Sequence, residues 1–292
     1  MNLTFWQTLF LALLQGVTEL FPISSLGHTV ILPFFLGWGD LVRDKHFLPL
    51  IVALHLGTSI ALVIYFWRDW LKVLMTLVDS VKKGEVQTGT ESWVSWLIII
   101  GCIPAGLIGV FLEAPLKELF ASPVIAASFL IVNGVILFLG EVLRRRSATK
   151  NNQLVLQKEG ASRPLAELSW KEGLIIGLAQ SLALIPGLSR SGVTMVAGLG
   201  VRLNHEDAAR YSFLLGTPLI GAAAALEIPQ LLGQSSSVWM LVIIGMLVSG
   251  VAAFLSTHFL LRYFETGRLN PFAYYCWAAG ILSLILLFLF HH

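Results

Sequence analysis

The chain has 292 residues, 56% of them hydrophobic and only 12% charged, with a mean hydropathy of +0.80. That balance excludes an ordinary soluble domain and marks an integral membrane protein. The formal net charge of +2 gives no basis for a nucleic-acid partner.

The first residues, "MNLTFWQTLF", lack the basic start of a secretory signal, and the apolar run continues into a polar motif instead of a small-residue cleavage site, so the segment reads as mature protein. Apolar runs of spanning length then follow at 49–67, 93–112, 123–140, 211–232, 238–261 and 271–290. Each is near the roughly 20 residues that a helix needs to cross the hydrocarbon. They do not alternate as barrel strands would, so the spans are helices. Cys102 and Cys276 lie inside such runs and read as small buried hydrophobes. Trp38, Trp67, Trp70, Trp93, Trp96 and Trp239 sit near run ends, as an interfacial aromatic belt predicts.

Two apolar regions are too short to span and are broken by polar knots. "FPISSLGHTV" (21–30) interrupts the first, between runs at 3–14 and 29–38. "IPGLSRSGVT" (185–194) interrupts the other, between 174–185 and 193–201. Runs of about 9–12 residues suit re-entrant pieces better than spans. If both regions are hairpins that return to the side they entered from, the loops beginning at residues 68, 141, 202 and 262 share one side and Lys and Arg divide 15 to 3 across the membrane, leaving out Arg190. If both cross fully, the division is 11 to 7. The positive-inside rule selects the hairpins and places both termini outside.

The halves also resemble each other: "LLQGVTELFPISSLGHTV" aligns with "LAQSLALIPGLSRSGVTM" at an offset of 165 residues at the Gln. The expected fold is therefore an all-α integral membrane protein with six transmembrane helices plus two re-entrant helix-loop-helix hairpins, arranged as an inverted-topology repeat. It forms a single membrane domain over 1–292, with a first repeat at about 1–143, a basic cytoplasmic linker at about 144–171 and a second repeat at about 172–292.

Pro22 and Pro186 disfavour helix at the preceding residue, so helices should stop near Phe21 and Ile185. Backbone freed at that depth must be satisfied by protein or a wet cavity. Gly16, Gly27, Gly187 and Gly192 allow tight turns and close approach, and the helix restarting after Ser191 would aim free amides at the cavity, as an anion site requires. Arg190 in apolar surroundings needs a partner: either an ion pair with Glu19 or the oxygens of a phosphate. Gln15 and Glu19, four apart, share one helix face. Glu19 could hold a divalent cation, act as a base or pair with Arg190. Ser24, Ser25 and His28 complete the first knot, with His28 close enough to exchange a proton with Ser25. Outside the knots, His55 reads as a hydrogen-bonded packing residue or a cavity wall, Glu141 as a solvated or paired surface charge, and Glu227 as reaching the outer interface.

"QGVTELFPISSLGH" and "PGLSRSGVT" together resemble the two signature motifs of the bacterial undecaprenyl-diphosphate phosphatase family, the bacitracin-resistance type. The resemblance implies an enzyme of the bacterial cytoplasmic membrane, its active site facing the outside or periplasm. It would remove a phosphate from a polyprenyl diphosphate lipid, undecaprenyl diphosphate, and so recycle the carrier for cell-wall synthesis. It also implies a divalent cation, Mg2+ or Ca2+, and roles for Gln15, Glu19, Ser25 and His28 in the first motif and for Ser189, Arg190, Ser191 and Thr194 in the second. On that basis Ser24, Gly187, Ser189, Arg190, Ser191, Gly192 and Thr194 would bind the phosphate. Glu19 and Gln15 would face the cation, although many members carry Glu where Gln15 stands. Ser25 would attack with His28 as its proton partner, with attack by His28 or by water still open. The type 2 phosphatidic acid phosphatase pattern does not fit, since it would want His and Asp at Val196 and Gly200. A rival of a different class is a transporter or flippase of the phosphorylated lipid. The sequence leaves monomer and homodimer open.

Overall fold

The computed structural model describes residues 3–112, 119, 122–152 and 164–290. Lys117, Lys158, Arg163, His291, His292 and most of the linker between the halves lie outside the described residues. Within them the chain is helical and contains no strand.

The first half runs α1 (Phe5–Thr18), α2 (Ser25–Phe35), a short α3 (Gly39–Arg43), α4 (Phe47–Tyr65), α5 (Trp67–Lys83), α6 (Glu91–Phe111) and α7 (Pro123–Asn152). The second runs α8 (Trp170–Ser181), α9 (Arg190–Gly200), α10 (His205–Glu227), α11 (Ser236–Thr266) and α12 (Asn270–Phe290). Local chemistry fixes many starts. Thr4 with Gln7 and Ser169 with Glu172 form capping boxes before α1 and α8, each pair satisfying two amides that a helix start leaves free. Asn204 caps α10 and Ser235 caps α11.

Among the described residues six helices are long and apolar enough to cross a membrane: Phe47–Tyr65, Glu91–Phe111, Pro123–Arg145, His205–Leu231, Ser236–Thr266 and Asn270–Leu289. They coincide with the six apolar runs, and the protein is a multi-pass membrane protein. Their outer faces expose residues such as Ile64, Leu107, Leu247, Val251 and Phe288, which would be costly in water and suit lipid.

The stretch after the first span differs from its reading as a loop: α5 is a 17-residue helix. Leu71, Leu74, Met75 and Val78 recur at helical spacing and are all exposed, while Asp69, Lys72 and Lys83 fall off that stripe. Charges interrupt the apolar run too often for a span, yet the spacing makes an amphipathic helix of the kind that lies at a membrane surface.

The core is built on α4, which packs against α1, α10 and α11. Small residues bring these backbones together, as is usual where helices associate without water to expel. A Cβ on Gly16 would overlap the Ser249 carbonyl of α11, and one on Gly57 would overlap the Met246 carbonyl. In the other half a Cβ on Gly177 of α8 would overlap Gly101 of α6. Cys276 is fully buried and Cys102 partly so, both as free thiols.

Candidate active site

Each short apolar region is broken where a proline forbids continuation. α1 ends at Thr18 with Glu19 as its C-cap, a little before the expected stop at Phe21, and Leu20–Ile23 form turns. α8 ends at Ser181, a short 3-10 turn covers Leu182–Leu184, and Ile185 is extended before Pro186, as expected. Both following helices start on a serine cap: Ser24 Oγ accepts from the Gly27 amide at 3.1 Å, and Ser189 Oγ accepts from the Gly192 amide at 3.2 Å. α9 thus begins at Arg190, two residues earlier than expected. Ser24 adopts φ +68°, a left-handed conformation that costs a non-glycine residue on the order of 1–3 kcal/mol.

The two breaks touch. A Cβ on Gly27 would lie 3.1 Å from the Gly187 Cα, and Gly187 itself has φ +100° with no room for a side chain against the Ala126 carbonyl. Asn133 of α7, fully buried, fastens them: its Nδ2 donates to the Pro22 carbonyl at 2.9 Å, and its Oδ1 accepts from the Ser189 amide at 2.9 Å. Nothing in the sequence around Asn133 marks it, because its partners lie 111 and 56 residues away. Replacing it by Leu leaves the buried Ser189 amide unpaired, at a cost of roughly 1–3 kcal/mol, and leaves the Pro22 carbonyl with only the weak Cys276 thiol contact at 3.9 Å. Asn133→Leu should therefore lower the melting temperature in detergent more than a change at a lipid-facing position such as Leu247→Ala.

Where the breaks meet, four donors converge on Glu19, which is 7% exposed. Gln15 Nε2 donates to Oε2 at 3.0 Å and the Ser25 hydroxyl donates to Oε2 at 2.6 Å. His55 Nε2 lies 3.1 Å from Oε2. Arg190 Nη2 donates to Oε1 at 2.9 Å while Nη1 donates to the Ser212 carbonyl at 3.0 Å. Arg190 Nε is buried with no partner in the protein, so a donor is left for an incoming acceptor. The Arg190 and Ser191 amides at the start of α9 likewise have no partner within the helix, and their positive dipole end favours an anion.

These groups form one end of a cavity of about 290 Å³ walled by Glu19, Ser24, Ser25, His55, Ser189 and Arg190. From there it runs between apolar side chains, among them Leu26, Val52, Leu184 and Leu219, to Glu227. The site is therefore polar at one end and greasy along its length, as a lipid with a charged head requires.

Other expected residues lie elsewhere. His28 is buried, its Nδ1 donating to the Ser24 carbonyl at 2.6 Å and its Nε2 2.8 Å from the Tyr275 hydroxyl, so the ring points away from Ser25. The proton partner of Ser25 in this geometry is Glu19. Thr194 Oγ1 bonds the Arg190 carbonyl at 2.7 Å and Ser212 Oγ at 2.6 Å, and Ser191 Oγ donates to the Phe21 carbonyl at 3.2 Å. Both brace the start of α9 instead of walling the cavity. Gly187 and Gly192 serve the close backbone packing. Glu141 is not solvated: it is fully buried, 2.8 Å from His205 Nε2 and 3.3 Å from Arg145 Nε. Glu227 is buried at the far end of the cavity.

The reach of Arg190 depends on Gly216 of α10, where a Cβ would overlap the guanidinium. Gly216→Ala should leave the fold intact, because a flexible side-chain end can move aside. It should still cut turnover by on the order of 10²-fold, the cost of misplacing a reacting group by about an ångström.

A divalent cation wants about six oxygen ligands, and this site does not supply them. Both Glu19 oxygens already accept from donors, two of them basic side chains. Gln15 turns its amide nitrogen to Glu19, leaving Oε1 buried without a partner. No group of three or more His, Cys, Asp or Glu able to hold a metal occurs among the described residues. The residues do not fit a protein-built cation cage.

Residues 8–282 match the family model described as bacitracin resistance protein BacA. The chain belongs to the BacA family. A relative from Mycolicibacterium paratuberculosis, named undecaprenyl-diphosphatase, is 44% identical over 298 residues, covering 97% of each chain. One of the same name from Acidiphilium cryptum is 45% identical over 94% of this chain and 95% of its own. A third, undecaprenyl-diphosphatase 2 of Chromobacterium violaceum, is 43% identical over 96% and 97%. The BacA match takes in both breaks and every residue that meets at Glu19.

Proposed function

We infer that this chain hydrolyses undecaprenyl diphosphate to undecaprenyl phosphate and inorganic phosphate, returning the carrier lipid to cell-wall synthesis. One observation carries the chemistry: the Ser25 hydroxyl at 2.6 Å and the Arg190 guanidinium at 2.9 Å engage opposite oxygens of one buried carboxylate at the wall of a cavity lined mainly by apolar side chains. The relatives' names favour hydrolysis over the transporter reading.

In the mechanism proposed, the terminal phosphate lies against Arg190 Nε and the Arg190 and Ser191 amides at the start of α9. Ser25 Oγ attacks in line as its proton passes to Glu19. The Ser25–phosphate bond forms while the bond to undecaprenyl phosphate breaks, and the carrier leaves as the anion. Water then attacks the phosphoserine: the Ser25–phosphate bond breaks as Glu19 returns its proton to Ser25 Oγ, and the protons of the water leave on the released phosphate. Arg190 offsets the charge that builds on the transferring oxygens, the largest contribution such sites make. A divalent cation such as Mg2+ or Ca2+ would come with the substrate diphosphate, because the residues around Glu19 do not hold it.

The inverted repeat with two re-entrant hairpins is supported by position and by packing. Gln15 and Gln180, Ser24 and Ser189, Gly27 and Gly192, and Thr29 and Thr194 all differ by 165 positions, and two of these pairs are the cap bonds themselves. The packing of α1 on α11 has its counterpart in α8 on α6, and α4 meets α10 as α7 meets α12, the pattern expected when one half is exchanged for the other. The active site faces outward on the same reasoning: Leu48, Val110, Leu226 and Glu227 wall the cavity at helix ends that the charge division assigns to the outside. Purified protein in detergent should release inorganic phosphate from undecaprenyl diphosphate. A carrier that only flips the lipid would release none.

A further inference from the structure

His55 enters the site from α4, the helix at the centre of the core, and neither motif contains it. Its Nδ1 lies 2.8 Å from the Ile51 carbonyl. A carbonyl only accepts, so the Nδ1 hydrogen is committed there. Nε2 lies 3.1 Å from Glu19 Oε2, an acceptor as well. Two acceptors at that distance need a proton between them, and the contact is therefore a charge-assisted bond in which the ring faces the carboxylate with N–H. His55 is 9% exposed and forms part of the cavity wall.

The consequence lies in how Glu19 is held. On its own helix it has only Gln15, and Arg190 and Ser25 are both occupied with substrate during the reaction. His55 is the donor on the carboxylate that is anchored to a span and does not take part in transfer.

We propose that His55 is a positioning residue for the reaction: its ring, tied to the α4 backbone through Nδ1, holds the Glu19 carboxylate in the orientation that takes the Ser25 proton. This rests on the phosphatase reading given above. Because His55 acts through Glu19 and not on the diphosphate, its loss should lower kcat with KM nearly unchanged. An amide can restore the donor to Glu19, whereas a phenyl ring keeps the shape and removes it.

The test uses the full-length protein in detergent with undecaprenyl diphosphate, and follows phosphate release and melting temperature together. His55→Phe should lose on the order of 10²-fold in kcat, the scale of a misplaced catalytic group, with KM and melting temperature close to the parent. His55→Gln should recover to within roughly tenfold of the parent. His55→Phe turning over at the parental rate, or His55→Gln remaining as slow as His55→Phe, would overturn the proposal. Histidine-selective 15N NMR at fixed pH gives a second reading that does not depend on the Phe variant folding. The parent should show an Nε2–H signal that is absent in His55→Gln and shifted in Glu19→Gln, and a His55 ring without a hydrogen on Nε2 would equally overturn it. Absence of phosphate release by the parent protein would instead refute the phosphatase reading itself.

Discussion

Arg190→Ala should reduce kcat/KM for undecaprenyl diphosphate by about 10³-fold or more while the protein still inserts and folds. The loss follows from what the guanidinium does. Removing a single preorganised donor from a developing oxyanion costs roughly 10²–10³-fold, and Arg190 supplies its unpartnered Nε together with the charge. The fold survives because Glu19 keeps Gln15, Ser25 and His55 as donors, so no carboxylate is left buried and bare, the situation that makes breaking an ion pair destabilising. KM should rise as kcat falls, since the contact to phosphate exists already in the bound ground state. Steady-state phosphate release, read beside a melting curve, checks both halves of the expectation. Parental turnover would remove Arg190 from the mechanism.

Glu19→Gln should be nearly as severe, with a different signature. The substitution keeps size and one acceptor but can no longer take the Ser25 proton, and general-base catalysis contributes about 10²–10⁴-fold. It also removes the counter-charge of Arg190, freeing the guanidinium to grip the diphosphate more tightly. The expected result is a fall in kcat of about 10³-fold with KM unchanged or lowered. A rise in KM with kcat preserved would mean that Glu19 binds substrate and moves no proton.

Much of this architecture is written in local sequence. Six apolar runs gave six span-length helices because length and hydropathy alone decide what lipid accepts. Pro22 and Pro186 marked the breaks since a missing amide acts within its own turn. The convergence of Glu19 and Arg190 was legible because a membrane-depth charge must find a partner and the candidates were few. Other features were beyond reach. The sequence of α5 reads as a loop because its charges mask an amphipathic period. Asn133, Gly216 and His55 act across helices far apart in the chain, through contacts that no spacing rule encodes. His28, three residues after Ser25, invited a pairing that the Ser24 carbonyl pre-empts.

The central claim is that groups from the two halves of the chain work as one unit on the terminal phosphate. A double-mutant cycle measures this directly, comparing phosphate release from labelled undecaprenyl diphosphate by Glu19→Gln, Arg190→Lys and the combined variant. Side chains acting as a unit give a double loss within about tenfold of the worse single variant. If the two losses simply multiply, the carboxylate and the guanidinium act independently and the account is contradicted.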